Sequence, residues 1–246
     1  MTFRNVYDDE LRADSYSRLE FPGTYFLAFR DLPAILSEHV GGRRAVDFGC
    51  GAGRSTRFLR RLGFHVLGLD ISADMVRRAR EIDPSGDYRL VEPSDPTGLT
   101  AGAWDLVLSA FTFDNVPQDQ KVRLLRALAG LLAPGGRLVN LVSTPEIYVH
   151  EWASFSTREF PENRDAKSGE VVRIVMTDVK DRRPVEDVVC TKATYRSLYR
   201  ESGLEVVSSY EPLGREDEPV AWVNETRLAP WRIDLLKKAP SPRPGP

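Results

Sequence analysis

The residues with the clearest chemical potential lie between Val46 and Asp70, in VDFGCGAGRSTRFLRRLGFHVLGLD. An apolar run carrying Asp47 ends in Gly49, Gly51 and Gly53, and a second apolar run closes on Asp70. Glycines between a strand and a helix let the backbone turn tightly and approach a ligand, and they present N–H groups where the helix begins. A dinucleotide fingerprint needs glycine at its first, third and sixth positions. Here the sixth is Arg54. A pyrophosphate would also be repelled by Asp47, whereas an ammonium group would be attracted. Asp70, at the end of the second apolar run, is placed to accept hydrogen bonds from ribose hydroxyls. The cofactor these residues describe carries an anionic and a cationic group on a ribose.

The surrounding elements must hold that loop. Ala45–Phe48 predicts a buried strand, Ser55–Leu62 a helix and His65–Asp70 a second strand, with Ser72 as N-cap of a helix through Met75 and Ala79. Tyr88–Val91 and Asp105–Ser109 predict two further strands. Pro117 opens a helix with Val122, Leu125, Ala129 and Leu132 on one face, ended by PGG, and Arg137–Val142 is a fifth strand. Upstream, Tyr25–Val40 has helical periodicity with Pro33 as a kink or helix start. Downstream, VVRIVMTDV and VEDVVCT flank KDRRP as a β-hairpin, KATYRSLYRESG returns to helix, and LEVVSSYEPL and APWRIDLLKKA are the last two strands. Strands alternating with helices imply an α/β, Rossmann-like, doubly wound and mostly parallel seven-stranded sheet. It carries a helical N-terminal lead-in and an inserted lid and hairpin after strand 5.

Bulk properties exclude several classes. With 34 Lys+Arg against 36 Asp+Glu, the net charge of −2 does not advertise a polyanion partner such as nucleic acid. Two cysteines, Cys50 and Cys190, do not make a disulfide framework and fit a reducing cytoplasm. The N-terminal stretch lacks a signal-peptide pattern, and no apolar run is long enough to cross a bilayer. The expectation is a cytoplasmic protein without a membrane partner, of unknown oligomeric state.

VDFGCGAGRST resembles the cofactor loop of class I S-adenosylmethionine-dependent methyltransferases, and VLGLDIS resembles their following acidic segment. WDLVLSAFTFDNVP is similar to the fourth-strand motif and LLAPGGRLVNLV to the fifth. VYDDELRADSY resembles the Tyr-containing segment that folds over the cofactor in small-molecule members. These motifs stand in family order from about Val6 to Val142.

The resemblance implies S-adenosyl-L-methionine as cofactor and in-line methyl transfer to a small-molecule metabolite. It implies that the loop of Gly49, Cys50, Gly51 and Gly53 approaches the methionine and ribose, that Asp47 holds the amino group, and that Asp70 takes the ribose hydroxyls. Ile71 and Met75 would pack on the adenine, and Asp95, with Glu92 as competitor, would receive its amino group. Ser109 and Phe111 would line the methyl end, and Tyr7 and Tyr16 would either close over the methionine or pack as ordinary helix residues. In the expected lid, His150 is the candidate base or else a surface or packing residue. Phe113, Tyr148, Trp152 and Phe155 form either an aromatic substrate pocket or lid core.

Asp114–Asn115 suggests metal-dependent catechol methyltransferases, but no matching second acid follows Leu132, so no metal is expected. The expected organisation is one domain: residues 1–44 a helical cap, 45–142 the cofactor core, 143–192 the substrate lid, 193–239 a helix with antiparallel strands, and 240–246 a flexible tail. Two alternatives remain open. One is a non-methylating cyclase or lyase that uses the same cofactor; the other is an NAD(P)-dependent oxidoreductase, which Arg54 and Asp47 disfavour.

Overall fold

The computed structural model describes residues 21–92 and 98–240. Asp95, Tyr7, Tyr16 and the tail beyond Pro240 lie outside the described residues.

Short apolar runs form the central strands: β1 (Arg44–Phe48), β2 (His65–Asp70), β3 (Asp87–Leu90), β4 (Trp104–Ala110) and β5 (Leu132–Ser143). With β9 (Leu204–Tyr210) and β10 (Trp231–Lys238) they make one seven-stranded sheet in the order β3-β2-β1-β4-β5-β10-β9. Pairs among β1 to β5 are all parallel, and β10 runs antiparallel to both β5 and β9. The strand order reverses between β1 and β4, which puts a ligand crevice outside the carboxyl ends of those two strands.

Alternate residues of the strands feed two cores. Ala45, Leu106, Leu108, Val139 and Ile233 pack with helices α1 (Thr24–Arg30) and α2 (Leu32–His39) on one face. Val46, Leu69, Val107, Leu138 and Leu236 pack with α5 (Gln118–Leu131) and α6 (Lys192–Glu201) on the other. Burial on both faces is why these strands read as continuous apolar runs. The predicted Tyr25–Val40 helix divides at Asp31, with Pro33 in the first turn of α2, where its missing N–H costs nothing.

Two helices follow the first two strands: α3 (Arg54–Arg61) and α4 (Ala73–Ile82). Ser72 caps α4, accepting the Met75 N–H at 3.4 Å. The α5 helix buries Leu124, Leu125, Leu128, Ala129 and Leu131, while Val122 is only partly buried. Leu132, expected on that face, instead begins β5. The PGG turn is a bulge within β5: Trp104 pairs with Leu132, but Leu106 already pairs with Arg137.

The predicted hairpin is present as β7 (Val171–Met176) and β8 (Val185–Val188), extended by a two-residue β6 (Phe155–Ser156). Phe155, Val172, Ile174, Met176 and Val185 point into the same core as α1 and α2. The hairpin thus closes over the carboxyl end of the sheet.

Candidate active site

The cavity under that hairpin, about 240 Å³, begins at the loop after β1. The three glycines there serve different purposes. A Cβ on Gly49 would collide with the Thr112 side chain, and one on Gly53 would sit 2.6 Å from the Tyr88 hydroxyl. Gly51 has φ +53, nothing near its Cβ position, and lines the cavity. Only the middle glycine therefore offers an open backbone cradle; the outer two permit packing beneath it.

Asp70 joins the loop to the second strand. Its Oδ2 accepts the Gly51 N–H at 2.8 Å and its Oδ1 the Ser72 N–H at 2.8 Å. This carboxylate, only half-buried, holds the cradle in place and also lines the cavity beside Ile71 and Met75.

Asp47 departs from its expected position. It is fully buried, does not line the cavity, and accepts the Ser55 and Thr56 hydroxyls through Oδ2 at 2.7 and 2.6 Å. Its Oδ1 has no partner among the described residues. The side chain ties the start of α3 to β1, so its effect on a ligand is through the loop and the field. Burial pushes its carboxyl up to about 6, with the Asp70 charge adding and the hydroxyls and Arg54 opposing.

The far end of the cavity is aromatic. Phe111 is the one non-glycine residue with positive φ (+63) among the described residues, a strained conformation at the exit of β4. Its N–H donates to the Leu141 carbonyl at 2.8 Å, and the Thr112 hydroxyl donates to the Phe48 carbonyl at 3.0 Å. These bonds hold the turn that aims the Phe111 ring at Trp231, 4.7 Å away between centroids. Tyr25 stacks on Trp231 at 5.7 Å and meets Phe111 and Phe155 edge-on. Arg54, whose position spoiled the dinucleotide pattern, lines the cavity with its guanidinium 4.7 Å from the Tyr25 ring centre.

Two carboxylates complete that end. Asp114, in the 3-10 turn Thr112–Asp114, accepts the Ser143 N–H at 3.1 and 3.2 Å and the Ser143 hydroxyl at 2.8 Å. Asp187, from β8, accepts the Tyr148 hydroxyl at 3.0 Å and the Asn115 amide at 2.6 Å. Both are buried and both line the cavity. Burial raises both carboxyls above the usual range, Asp114 to about 7 with the Asp187 charge adding, and Asp187 to about 6 against the bonds from Tyr148 and Asn115 and the Lys121 charge. The sequence offers no acid after Leu132 that matches the catechol-methyltransferase metal pattern; the lid hairpin instead brings Asp187, which sequence reasoning did not single out, to the cavity. No group of three or more His, Cys, Asp or Glu gathers among the described residues.

The structure brings Gly49, Cys50, Gly51, Asp70, Ile71, Met75, Phe111 and Phe155 to one cavity. Other expected site residues lie elsewhere. His150 is 40% exposed, pairs with Glu146 at 3.1 Å and packs edge-on against Trp152, outside the cavity lining. Trp152 is buried with its indole N–H on the Ile147 carbonyl, and Phe113 is buried in the α5 core. Tyr148 acts through Asp187 from behind the wall, Ser109 is enclosed in β4, and Gly53 supports Tyr88. Sequence reasoning missed Tyr25, Arg54, Asp187 and Trp231 as cavity residues. Their signal is tertiary, since each arrives from a different segment.

Comparison with known proteins agrees with this architecture. Residues 46–140 match the family model described as a methyltransferase domain. A ubiquinone biosynthesis O-methyltransferase of Xanthomonas axonopodis pv. citri is 35% identical over 101 residues, 39% of this chain and 41% of that protein. Its counterpart in Xanthomonas oryzae pv. oryzae is 33% identical over 103 residues, 40% and 42% respectively. The chain thus spans about two fifths of the length of these curated relatives. Among solved structures, the CcbJ methyltransferase of Streptomyces caelestis superposes with a TM-score of 0.67 at 18% identity, covering 96% of this chain and 99% of that one. An S-adenosylmethionine-dependent methyltransferase of Mesorhizobium loti gives 0.62 at 22% identity, covering 88% and 100%. The match to the methyltransferase-domain model falls on the strands and loops that build the cavity, and the solved structures share the fold.

Proposed function

We propose that this protein is an S-adenosylmethionine-dependent methyltransferase whose acceptor is a small molecule bound beneath the lid hairpin. The observation that carries the reading is one continuous cavity running from the Gly51–Asp70 cradle to the wall of Tyr25, Phe111, Phe155 and Trp231. A donor and an acceptor held at its two ends would meet in line. The cradle suits the cofactor: an open glycine backbone for close approach, an acid at the ribose position, and Ile71 and Met75 as apolar packing. The bound cofactor would supply an electrophilic methyl group on a sulfonium.

The chain's own contribution is alignment and exclusion of water. Holding two reactants in a near-attack arrangement replaces an encounter in solution, and apolar walls keep competing water away. A roofed cavity of this size suits a small acceptor. The relatives named as O-methyltransferases support an oxygen as the acceptor atom.

Incubation with S-adenosylmethionine and fractionated metabolite extracts tests the reading. The expected product is S-adenosylhomocysteine, formed only when an acceptor-bearing fraction is present. Methylthioadenosine formed without any acceptor would contradict it and point to cleavage of the cofactor instead.

A further inference from the structure

The buried carboxylates Asp114 and Asp187 take no part in the hydrogen bonds of the Gly51–Asp70 cradle, yet they line the same cavity. They come from distant segments, the turn after β4 and strand β8, and each is fixed by neutral donors: Ser143 for one, Tyr148 and Asn115 for the other. Neutral donors orient a carboxylate without cancelling its charge. Two like charges brought together away from water do not both ionise, so such a pair retains a proton. The surrounding charged and titratable groups are Lys121 beneath the pair, Cys190, Tyr148, and Arg123 on the same cavity wall. Among the described residues Lys121 forms no salt bridge to the pair, although its charge partly offsets theirs. Its ammonium is buried 3.4 Å from the Tyr195 hydroxyl, over that ring, and burial lowers its own proton affinity.

We propose that the Asp114–Asp187 pair is the general base of the reaction and takes the proton from a hydroxyl group on an aromatic acceptor, an inference that rests on the methyltransferase reading above. The ring faces of Tyr25, Phe111, Phe155 and Trp231 supply the aromatic side of that recognition. As the acceptor O–H bond breaks, its proton passes to the pair and its oxygen bonds to the methyl carbon. The carbon–sulfur bond breaks with its electrons left on sulfur, and the pair returns the proton to solvent when product leaves. A neutral phenol is a weak nucleophile and needs this help, whereas a neutral amine could attack before losing a proton. Tyr148 and Asn115 are positioning residues, since they act by holding Asp187.

The test compares wild type with Asp187→Asn and Asp114→Asn, using S-adenosylhomocysteine for calorimetric titration and 4-nitrocatechol as acceptor. Asp114 also anchors the Ser143 backbone, so Asp187→Asn on the hairpin, which leaves that anchor intact and gives up one of the two bonds from Tyr148 and Asn115, is the less disruptive variant. All three proteins are expected to bind S-adenosylhomocysteine within about threefold of one another, while kcat/KM for the nitrocatechol falls by about 100-fold in either variant. A protonated-carboxyl infrared band in the wild type is expected to titrate at least about one pH unit lower in each variant, because the like charge is gone. Two results would overturn the proposal in a protein that binds S-adenosylhomocysteine. One is Asp187→Asn transferring methyl groups within threefold of wild type with an unshifted band; the other is wild type transferring none to 4-nitrocatechol. A wild type that does not bind S-adenosylhomocysteine would remove the underlying reading and the proposal with it.

Discussion

Asp47 and Asp70 lie at the ends of two adjacent parallel strands, yet their surroundings give them different work. Asp70 is half-buried and holds two backbone N–H groups, so replacing it with Asn leaves an acceptor but removes the charge. Charge-assisted bonds contribute roughly 1.5–3 kcal/mol, so Asp70→Asn should weaken S-adenosylhomocysteine binding by about 10- to 100-fold in calorimetry. Asp47 carries its charge in the interior. Its folded-state midpoint of about 6 lies above the unfolded value of about 3.9. The protonated side chain therefore favours the folded state below about pH 4, and that contribution is lost as pH rises through about 6. Both hydroxyl bonds reach one oxygen, so Asp47→Asn keeps them. Urea unfolding of wild type should lose about 2–3 kcal/mol more than Asp47→Asn between pH 4 and 7. Equal pH profiles would show that Asp47 is not the group responsible. The positions of these two acids and the glycines were legible in the sequence because strand and turn signals act over short spans. The inward placement of Asp47 was not, because spacing reports position along a strand and not which side of the loop a carboxyl faces.

At the scale of elements, the glycine loop separates packing from binding. Gly53→Ala forces a methyl group against the Tyr88 ring at a φ of +82, so it should lower stability by about 2–3 kcal/mol in denaturant melts. Gly51→Ala meets open space and should cost only the left-handed strain, about 1 kcal/mol, while its methyl group intrudes on the cavity and reduces cofactor affinity. Equal stability losses in the two variants would contradict this division. The strands and helices were readable from apolar runs, caps and Pro117. The β7–β8 hairpin was also readable, but what it delivers was not: Val185 and Asp187 differ from other alternating strand residues only once the hairpin is folded over the sheet. His150 illustrates the converse. It was singled out for its residue type within the lid, and the fold turns it towards Glu146 and solvent.

Across the whole molecule, the N-terminal helices, the sheet and the lid share one core. Tyr25 and Leu27 of α1, Leu106 and Val139 of the sheet, Ile174 of the hairpin and Trp231 of β10 belong to a single cluster. The Trp231 indole N–H reaches the Thr24 carbonyl at 2.8 Å, tying β10 to the start of α1. Trp231→Ala should cost about 3–5 kcal/mol and do so in one cooperative transition, read by both fluorescence and far-ultraviolet dichroism. Separate transitions would mean that the lid folds independently of the sheet. Because the cavity walls come from all these layers, a ligand that bridges them should also raise the melting temperature.

The most direct test of the central claim is calorimetric titration of the wild-type chain with S-adenosylhomocysteine, with NADPH titrated in parallel. One S-adenosylhomocysteine per chain is expected to bind with a Kd in the micromolar range or tighter, roughly −8 kcal/mol, and NADPH not to bind. Tight NADPH binding with no response to S-adenosylhomocysteine would contradict the claim.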